Sequence, residues 1–119
     1  MSKQILAHEP IERLREMGRV LGGDVPRRIL QVYLGDAPQR LAALRQSLTA
    51  GDAAAVEQAA HALKGSSANL GAVTLADLCH EIERQSRDSP TAGTVEQLSA
   101  VEAEYARVEQ AMRQLLTEF

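Results

Sequence analysis

Apolar residues recur every three or four positions along most of the chain, and this spacing restricts the fold more than any other feature of the sequence. Such spacing places apolar side chains on one face of an α-helix. Over residues 95–119 the repeat is close to a heptad and comprises Val95, Leu98, Val101, Tyr105, Val108, Met112, Leu115 and Phe119. No stretch alternates apolar with polar residues as a half-buried strand would. Nineteen alanines and fifteen leucines, both strong helix formers, also favour an all-α chain.

Turn and capping residues mark the ends of the first two helices. We expect residues 1–8 to be frayed, and Pro10 to open a short helix that ends at Gly18. Asp24 is the expected N-cap of the second helix. Pro38 lies inside this second apolar stripe, but the stripe continues in phase beyond it, so we predict one helix bent at the proline.

The remaining breaks predict three further helices. The third runs from about Ala53 to Leu70, with Asp52 as its N-cap and Gly71 placed to terminate it in the left-handed conformation. The fourth ends in the polar stretch 86–93, and Thr94 with Gln97 forms a capping box for the fifth. Four long amphipathic helices with short connections predict an antiparallel four-helix bundle, with the short N-terminal helix across one end. A chain of 119 residues is expected to form one domain.

Composition excludes several classes of protein. The net charge is −3 and only 3% of residues are aromatic, which argues against a nucleic-acid surface. No apolar run approaches the ~20 residues that cross a bilayer, so membrane insertion is not expected. The single cysteine, Cys79, excludes an internal disulfide and is expected to be buried. We expect a cytoplasmic monomer, although the near-heptad repeat of the last helix is also compatible with a dimer.

The third helix contains the unusual residues of the sequence, between positions 61 and 71. On a helical wheel, His61 lies ~140° from the core direction, and Lys64 and Gly65 share its side. A glycine inside a helix costs ~1 kcal/mol relative to alanine, so Gly65 calls for an explanation. It could simply begin the end of the helix, but Leu70 continues the stripe beyond it. The core stripe itself comprises Val56, Ala60, Leu63, Ser67 and Leu70.

A single chemistry explains the three residues together. An exposed imidazole is largely unprotonated and nucleophilic at neutral pH, so His61 could accept a phosphoryl group. Lys64 would supply a positive charge to that group, and Gly65 would leave room for another protein to approach. Taken one by one, His61 and Lys64 also fit an ordinary solvated surface.

The string HALKGSSANLGA at residues 61–72 resembles the signature of the histidine-containing phosphotransfer (HPt) domains of bacterial multistep phosphorelays. Residues 33–41 and 75–83 agree with the same family. The resemblance implies a helical bundle without kinase activity, in which Nε2 of His61 attacks the aspartyl-phosphate of a receiver domain. A second receiver would then take the phosphoryl group. The implied partners are receiver domains and a hybrid histidine kinase. No cofactor or metal is expected on this chain, because the Mg²⁺ belongs to the receiver.

The resemblance also implies roles for the neighbours of the histidine. Lys64 would orient and neutralise the phosphoryl group. Ser67, or Ser66, could support the phosphate by a hydrogen bond, although the wheel points Ser67 inward and gives it an equally good structural role. Glu57 and Ala68 share the side of the imidazole and are expected in the docking surface.

Two other functions compete with phosphotransfer. One is a non-catalytic adaptor or dimerisation bundle that only docks receiver domains. The other is a bundle that binds a metal or haem in its core, but no Glu-x-x-His pair is present. ATP binding is not predicted, since the Gly22–Gly23 pair lacks the Lys-Ser/Thr of a phosphate loop. His80 faces solvent on the fourth helix without a Lys-Gly pair, and no chemistry is predicted for it.

Overall fold

The computed structural model describes residues 5–88 and 95–119. Within these ranges the chain forms five helices and no strand, which confirms the predicted all-α bundle with an additional N-terminal helix. The helices are α1 (His8–Leu21), α2 (Asp24–Ala50), α3 (Ala53–Asn69), α4 (Val73–Asp88) and α5 (Val95–Leu116). None of the helices in these ranges is both long and apolar enough to cross a membrane.

The apolar stripes of the helices meet in one core. α3 packs most extensively on α4 and also on α2, and α5 covers α2 and α4. The largest fully buried side chains of this core are Leu30, Leu44, Leu63, Leu75, Ile82 and Met112. The contacts of α3 with both α2 and α4 hold its remaining face toward solvent, and that face carries His61.

The ends of α3 follow the predicted capping chemistry. The Asp52 carboxylate accepts a hydrogen bond from the backbone N–H of Ala55 at 3.1 Å, which confirms the N-cap. Gly71 follows the helix with a φ of +86°, the left-handed conformation that favours glycine. Its N–H donates to the carbonyl of Ala68 at 3.0 Å. The tight turn at Gly71 brings α4 directly back along α3.

Two predicted boundaries of α1 and α2 are wrong. α1 continues past Gly18 to Leu21, and Gly22, with a φ of +95°, follows its end. Gly18 lies inside the helix, and a β-carbon there would stand 3.2 Å from the ring of Phe119, so this glycine serves close packing and not a helix end. Asp24 is the first residue of α2 and not its cap, and its carboxylate pairs with Arg27 at 2.8 Å. α2 continues through Pro38 as predicted; the bend there stays a prediction.

The chain termini also differ from expectation. Residues 1–4 lie outside the described residues, but the second half of the segment expected to fray is packed. Leu6 is buried, and the Ala7 N–H donates to the Gly71 carbonyl at 2.8 Å. At the other end α5 stops at Leu116, one further turn follows, and Phe119 packs against the core and against Gly18. Val95, the first residue of the predicted heptad stripe, is instead 80% exposed.

The connection between α4 and α5 can be compared with prediction only in part. α4 ends at Asp88, inside the stretch 86–93 in which the sequence predicts its end. Ser86, the first residue of that stretch, is still helical and buried, and it donates its hydroxyl to the Ile82 carbonyl at 2.8 Å. The predicted capping box includes Thr94, which lies outside the described residues.

Candidate functional site

The site lies where the solvent-facing side of α3 meets α4. His61 projects from α3 and its side chain is 67% exposed, as the helical wheel predicts. Glu83 stands opposite on α4 and its side chain is only 5% exposed. One edge of the imidazole therefore contacts a buried carboxylate, and the other edge is exposed to water.

The Glu83 carboxylate joins three basic side chains. Its Oε1 lies 2.8 Å from Nδ1 of His61 and 3.1 Å from Nη2 of Arg87. Its Oε2 lies 2.6 Å from Nζ of Lys64. A buried carboxylate needs such partners, since an unpaired charge inside a protein is costly.

The contact between Glu83 and His61 selects the tautomer of the neutral ring. A carboxylate only accepts hydrogen bonds, so Nδ1 of the neutral imidazole carries the proton and donates it. Nε2 is then left with its lone pair, on the exposed edge of the ring. This is the arrangement of a nucleophilic nitrogen held in a defined orientation.

Two opposing effects determine the ionisation of Glu83. Burial raises the pKa of the carboxyl, but the hydrogen bonds from Lys64 and His61 and the positive charge of Lys64 outweigh it. The net result is a pKa below the ordinary value of 4.5. Glu83 is therefore an anion at neutral pH and can stabilise positive charge on the imidazole.

Lys64 lies beside His61 as predicted, but its ammonium group already has partners within the chain. Its ammonium group sits between Glu83 and His80, 3.4 Å from the Nδ1 of His80, and its side chain is only 26% exposed. His80, for which the sequence predicts no chemistry, therefore borders the site. Lys64 neutralises the buried carboxylate in this arrangement.

Gly65 and Ala68 form a smooth exposed surface next to the imidazole. Both are exposed, and a β-carbon placed on Gly65 would meet no atom within 4 Å. Among the described residues, nothing therefore requires a glycine at position 65. That Gly65 leaves room for another protein to approach His61 stays a prediction.

Ser67 is not placed to contact a phosphate or a partner, and its assignment to the site is corrected. The residue has no exposed area, and its Oγ lies 2.8 Å from the hydroxyl of Tyr33 across the α2–α3 interface. Burial raises the pKa of Tyr33 to about 12. Ser66 is closer to the surface, but its hydroxyl donates to the backbone carbonyls of Ala62 and Leu63, each at 3.2 Å.

Glu57 lies one turn before His61 and pairs with α4. Its Oε1 is 3.0 Å from Nε of Arg87. The two residues border a surface cavity of about 440 Å³, which is also lined by Ala54, Gln58, His61 and Glu83. The imidazole is thus flanked by Lys64 toward the C-terminal end of α3 and by Arg87 toward its N-terminal end.

The contributions of α4 are the part of the site that sequence reasoning missed. Glu83 lies on the buried stripe of α4, in register with Ala76, Cys79 and Ser86. A charged residue on an apolar stripe is a signal that something pairs with it. Cys79 is fully buried, as predicted, and burial raises the pKa of its thiol to about 12. Among the described residues, no three His, Cys, Asp or Glu side chains are grouped as metal ligands.

Comparison with known proteins agrees with this geometry. The sequence pattern of the Hpt domain family matches residues 28–111. The fold is similar to the crystal structure of histidine-containing phosphotransfer protein B (HptB) from Pseudomonas aeruginosa PAO1, with a TM-score of 0.88 and 30% sequence identity. That match covers 99% of each chain. No curated protein matches the chain. The chain belongs to the Hpt domain family, whose members are phosphocarriers that carry out histidine phosphotransfer in phosphorelays.

Proposed function

We propose that His61 accepts a phosphoryl group from the aspartyl-phosphate of one receiver domain and passes it to the aspartate of another. In the accepting step the Nε2–P bond forms while the P–O bond of the acyl phosphate breaks, and the donor aspartate leaves as a carboxylate. The ring keeps its proton on Nδ1 and gains a positive charge. The reverse of this step delivers the phosphoryl group to the second receiver.

One observation carries this proposal: the exposed imidazole has its Nδ1 anchored 2.8 Å from the buried Glu83 carboxylate. The anchor holds the tautomer whose free nitrogen is Nε2, and it places a negative charge where positive charge develops during attack. A solvated surface histidine would have no need of a buried carboxylate, which costs free energy to desolvate.

The residues around His61 support the docking of a receiver domain more than a catalytic activity of this chain alone. Lys64 supplies a positive charge beside the ring, and the bare surface at Gly65 and Ala68 admits a partner. The proposal assigns no kinase activity and no cofactor to this chain, and it leaves the Mg²⁺ on the receiver. A hybrid histidine kinase is the proposed source of phosphate. The proposed form is a cytoplasmic monomer that does not bind nucleic acid.

Labelling by phosphorylated receivers tests the assignment. The chain is incubated with a panel of phosphorylated receiver domains, and the label is expected on His61 as an acid-labile, base-stable phosphoramidate. His61→Gln should abolish the label. His80→Gln, which changes another exposed histidine of the same surface, should retain it. Undiminished labelling of His61→Gln would refute the assignment, and receiver binding without any label would favour the adaptor.

A further inference from the structure

Two basic side chains, Lys64 and Arg87, flank His61, and their ion pairs differ in burial. Lys64 pairs at 2.6 Å with Glu83, whose side chain is 5% exposed. Arg87 pairs at 3.0 Å with Glu57, and the two side chains are 61% and 36% exposed. Arg87 also reaches Glu83 through Nη2 at 3.1 Å. Both cations are therefore occupied before any phosphoryl group arrives.

The two pairs differ in what it costs to break them. Withdrawing Lys64 from Glu83 would leave a buried carboxylate short of its main neutralising charge, which is strongly unfavourable. Parting Arg87 from Glu57 separates two groups that water can solvate, and exposed pairs of this kind contribute little. Arg87 would also give up its 3.1 Å contact with Glu83, but that carboxylate keeps Lys64 at 2.6 Å and His61 at 2.8 Å. Arg87 is therefore the cation that can turn at low cost.

The position of Arg87 suits a group carried on the imidazole. Arg87, Glu57 and His61 line the same surface cavity of about 440 Å³, so the guanidinium and the ring open onto one space. A phosphoryl group on Nε2 carries about two negative charges and three acceptor oxygens. A guanidinium can donate two parallel hydrogen bonds to such oxygens, which an ammonium cannot do.

We propose that Arg87 is a phosphate-binding residue of the phosphorylated state, held by Glu57 until the phosphoryl group on His61 draws it away, an inference that rests on the proposed function. Glu57 then acts as a competitor for Arg87, because its carboxylate must be displaced. Lys64 stays on Glu83 and keeps the carboxylate beneath the ring neutralised. The Glu57 carboxylate and the phosphoryl group on His61 compete for the Arg87 guanidinium. This competition affects how stable phospho-His61 is relative to the receiver aspartyl-phosphate.

The test measures the equilibrium between phospho-receiver and phospho-His61 with one receiver that labels the wild-type chain. Arg87→Ala should shift this equilibrium toward the phospho-receiver by about tenfold, the effect of one charge-assisted contact. Glu57→Gln should shift it toward phospho-His61 by about two- to threefold, since an exposed pair is weak. Arg87→Lys should recover only part of the loss, because an ammonium cannot bind in bidentate fashion.

A double-mutant cycle and a control separate this role from a structural one. The effect of Glu57→Gln should vanish in the Arg87→Ala background, because the competition needs the guanidinium. Arg84→Ala removes an arginine one turn from Arg87 that pairs with Glu81 and Asp88, and it should leave the equilibrium unchanged. Thermal unfolding of each variant shows whether the bundle is intact.

The outcomes distinguish failure of the phosphoacceptor assignment of His61 from failure of phosphate binding by Arg87. If wild type is not labelled on His61, the phosphoacceptor assignment fails. If wild type is labelled and Arg87→Ala gives the wild-type equilibrium, phosphate binding by Arg87 is overturned while the assignment of His61 stands. Equal shifts in the same direction for Glu57→Gln and Arg87→Ala would also overturn it, since they would indicate that the intact ion pair is what matters.

Discussion

At the scale of single residues, the site is organised around Glu83, a buried carboxylate whose partners are the basic side chains around it. It orients the imidazole of His61 through Nδ1 and holds Lys64 at 2.6 Å. Removing Lys64 would therefore affect two things at once, the charge near the phosphoryl group and the neutralisation of a buried anion. A stability measurement has to accompany any transfer assay on Lys64→Ala.

Substitutions of Gly65 can test folding stability and partner docking separately. Gly65→Ala should raise the free energy of unfolding by about 0.5–1 kcal/mol, because alanine is the better helix former and its β-carbon meets no atom. Gly35→Ala is a matched control in α2, since a β-carbon there also meets nothing, and it should stabilise equally. Urea denaturation measures both.

The larger variant at the same position tests access. Gly65→Leu should fold, but it should exchange phosphate with receivers about tenfold more slowly, because its side chain occupies the approach to His61. Single-turnover transfer from a phosphorylated receiver measures the rate. Wild-type rates for this variant would contradict the idea that an approaching partner requires the glycine.

Residue-scale prediction succeeded where the helical wheel alone determines exposure. His61 faces water and Ser67 is buried, as a 100° rotation per residue requires. The roles of Glu83 and Arg87 could not be derived in this way, because they lie on a different helix. Their contacts depend on how α4 is placed against α3.

At the scale of elements, the turn at Gly71 determines that placement. Its positive φ reverses the chain within a few residues, so α4 returns beside α3 with Glu83 opposite His61. The same glycine makes room for the N-terminal segment, because a β-carbon would stand 3.1 Å from the Ala7 nitrogen. Gly71 therefore both ends α3 and allows the close contact with the N-terminal segment.

Substitution of Gly71 should cost more than substitution of a glycine that only ends a helix. Gly71→Ala is expected to lower the free energy of unfolding by about 2–3 kcal/mol, from left-handed strain together with the clash against Ala7. Gly51→Ala is the control, since its φ is +68° but a β-carbon there meets no atom. It should lose only about 1–2 kcal/mol. Equal losses in urea denaturation would mean that the Ala7 contact contributes nothing.

At the scale of the whole molecule, the buried Glu83 links the stability of the bundle to pH. Its pKa is below 4.5 in the folded protein and returns toward 4.5 on unfolding, so the unfolded chain binds the proton more readily. The stabilisation is therefore present above the unfolded pKa and is lost as pH falls through the folded pKa. Glu12, Glu81 and Glu118 also have lowered pKa values, because each carboxylate is hydrogen-bonded by an arginine.

The predicted acid response can be assigned by substitution. The free energy of unfolding of the wild type should fall as the pH drops below the ordinary carboxyl pKa of 4.5, and Glu83→Gln should flatten this dependence while lowering stability at neutral pH. Working in about 1 M salt screens the exposed carboxylate–arginine pairs and leaves the buried group dominant. An identical pH dependence in wild type and Glu83→Gln would show that Glu83 does not control it.

The sequence by itself determined the helices, their apolar faces and the exposure of His61, because these depend on spacing along the chain and on local capping by residues such as Asp52. The predicted end of α1 lies too early, because Gly18 does not end the helix but makes room for Phe119, a residue from the far end of the chain. The partners of the histidine were decided only by the tertiary structure. Glu83 and Arg87 meet His61 across a helix interface, and the spacing of residues along one helix carries no information on what the neighbouring helix presents to it.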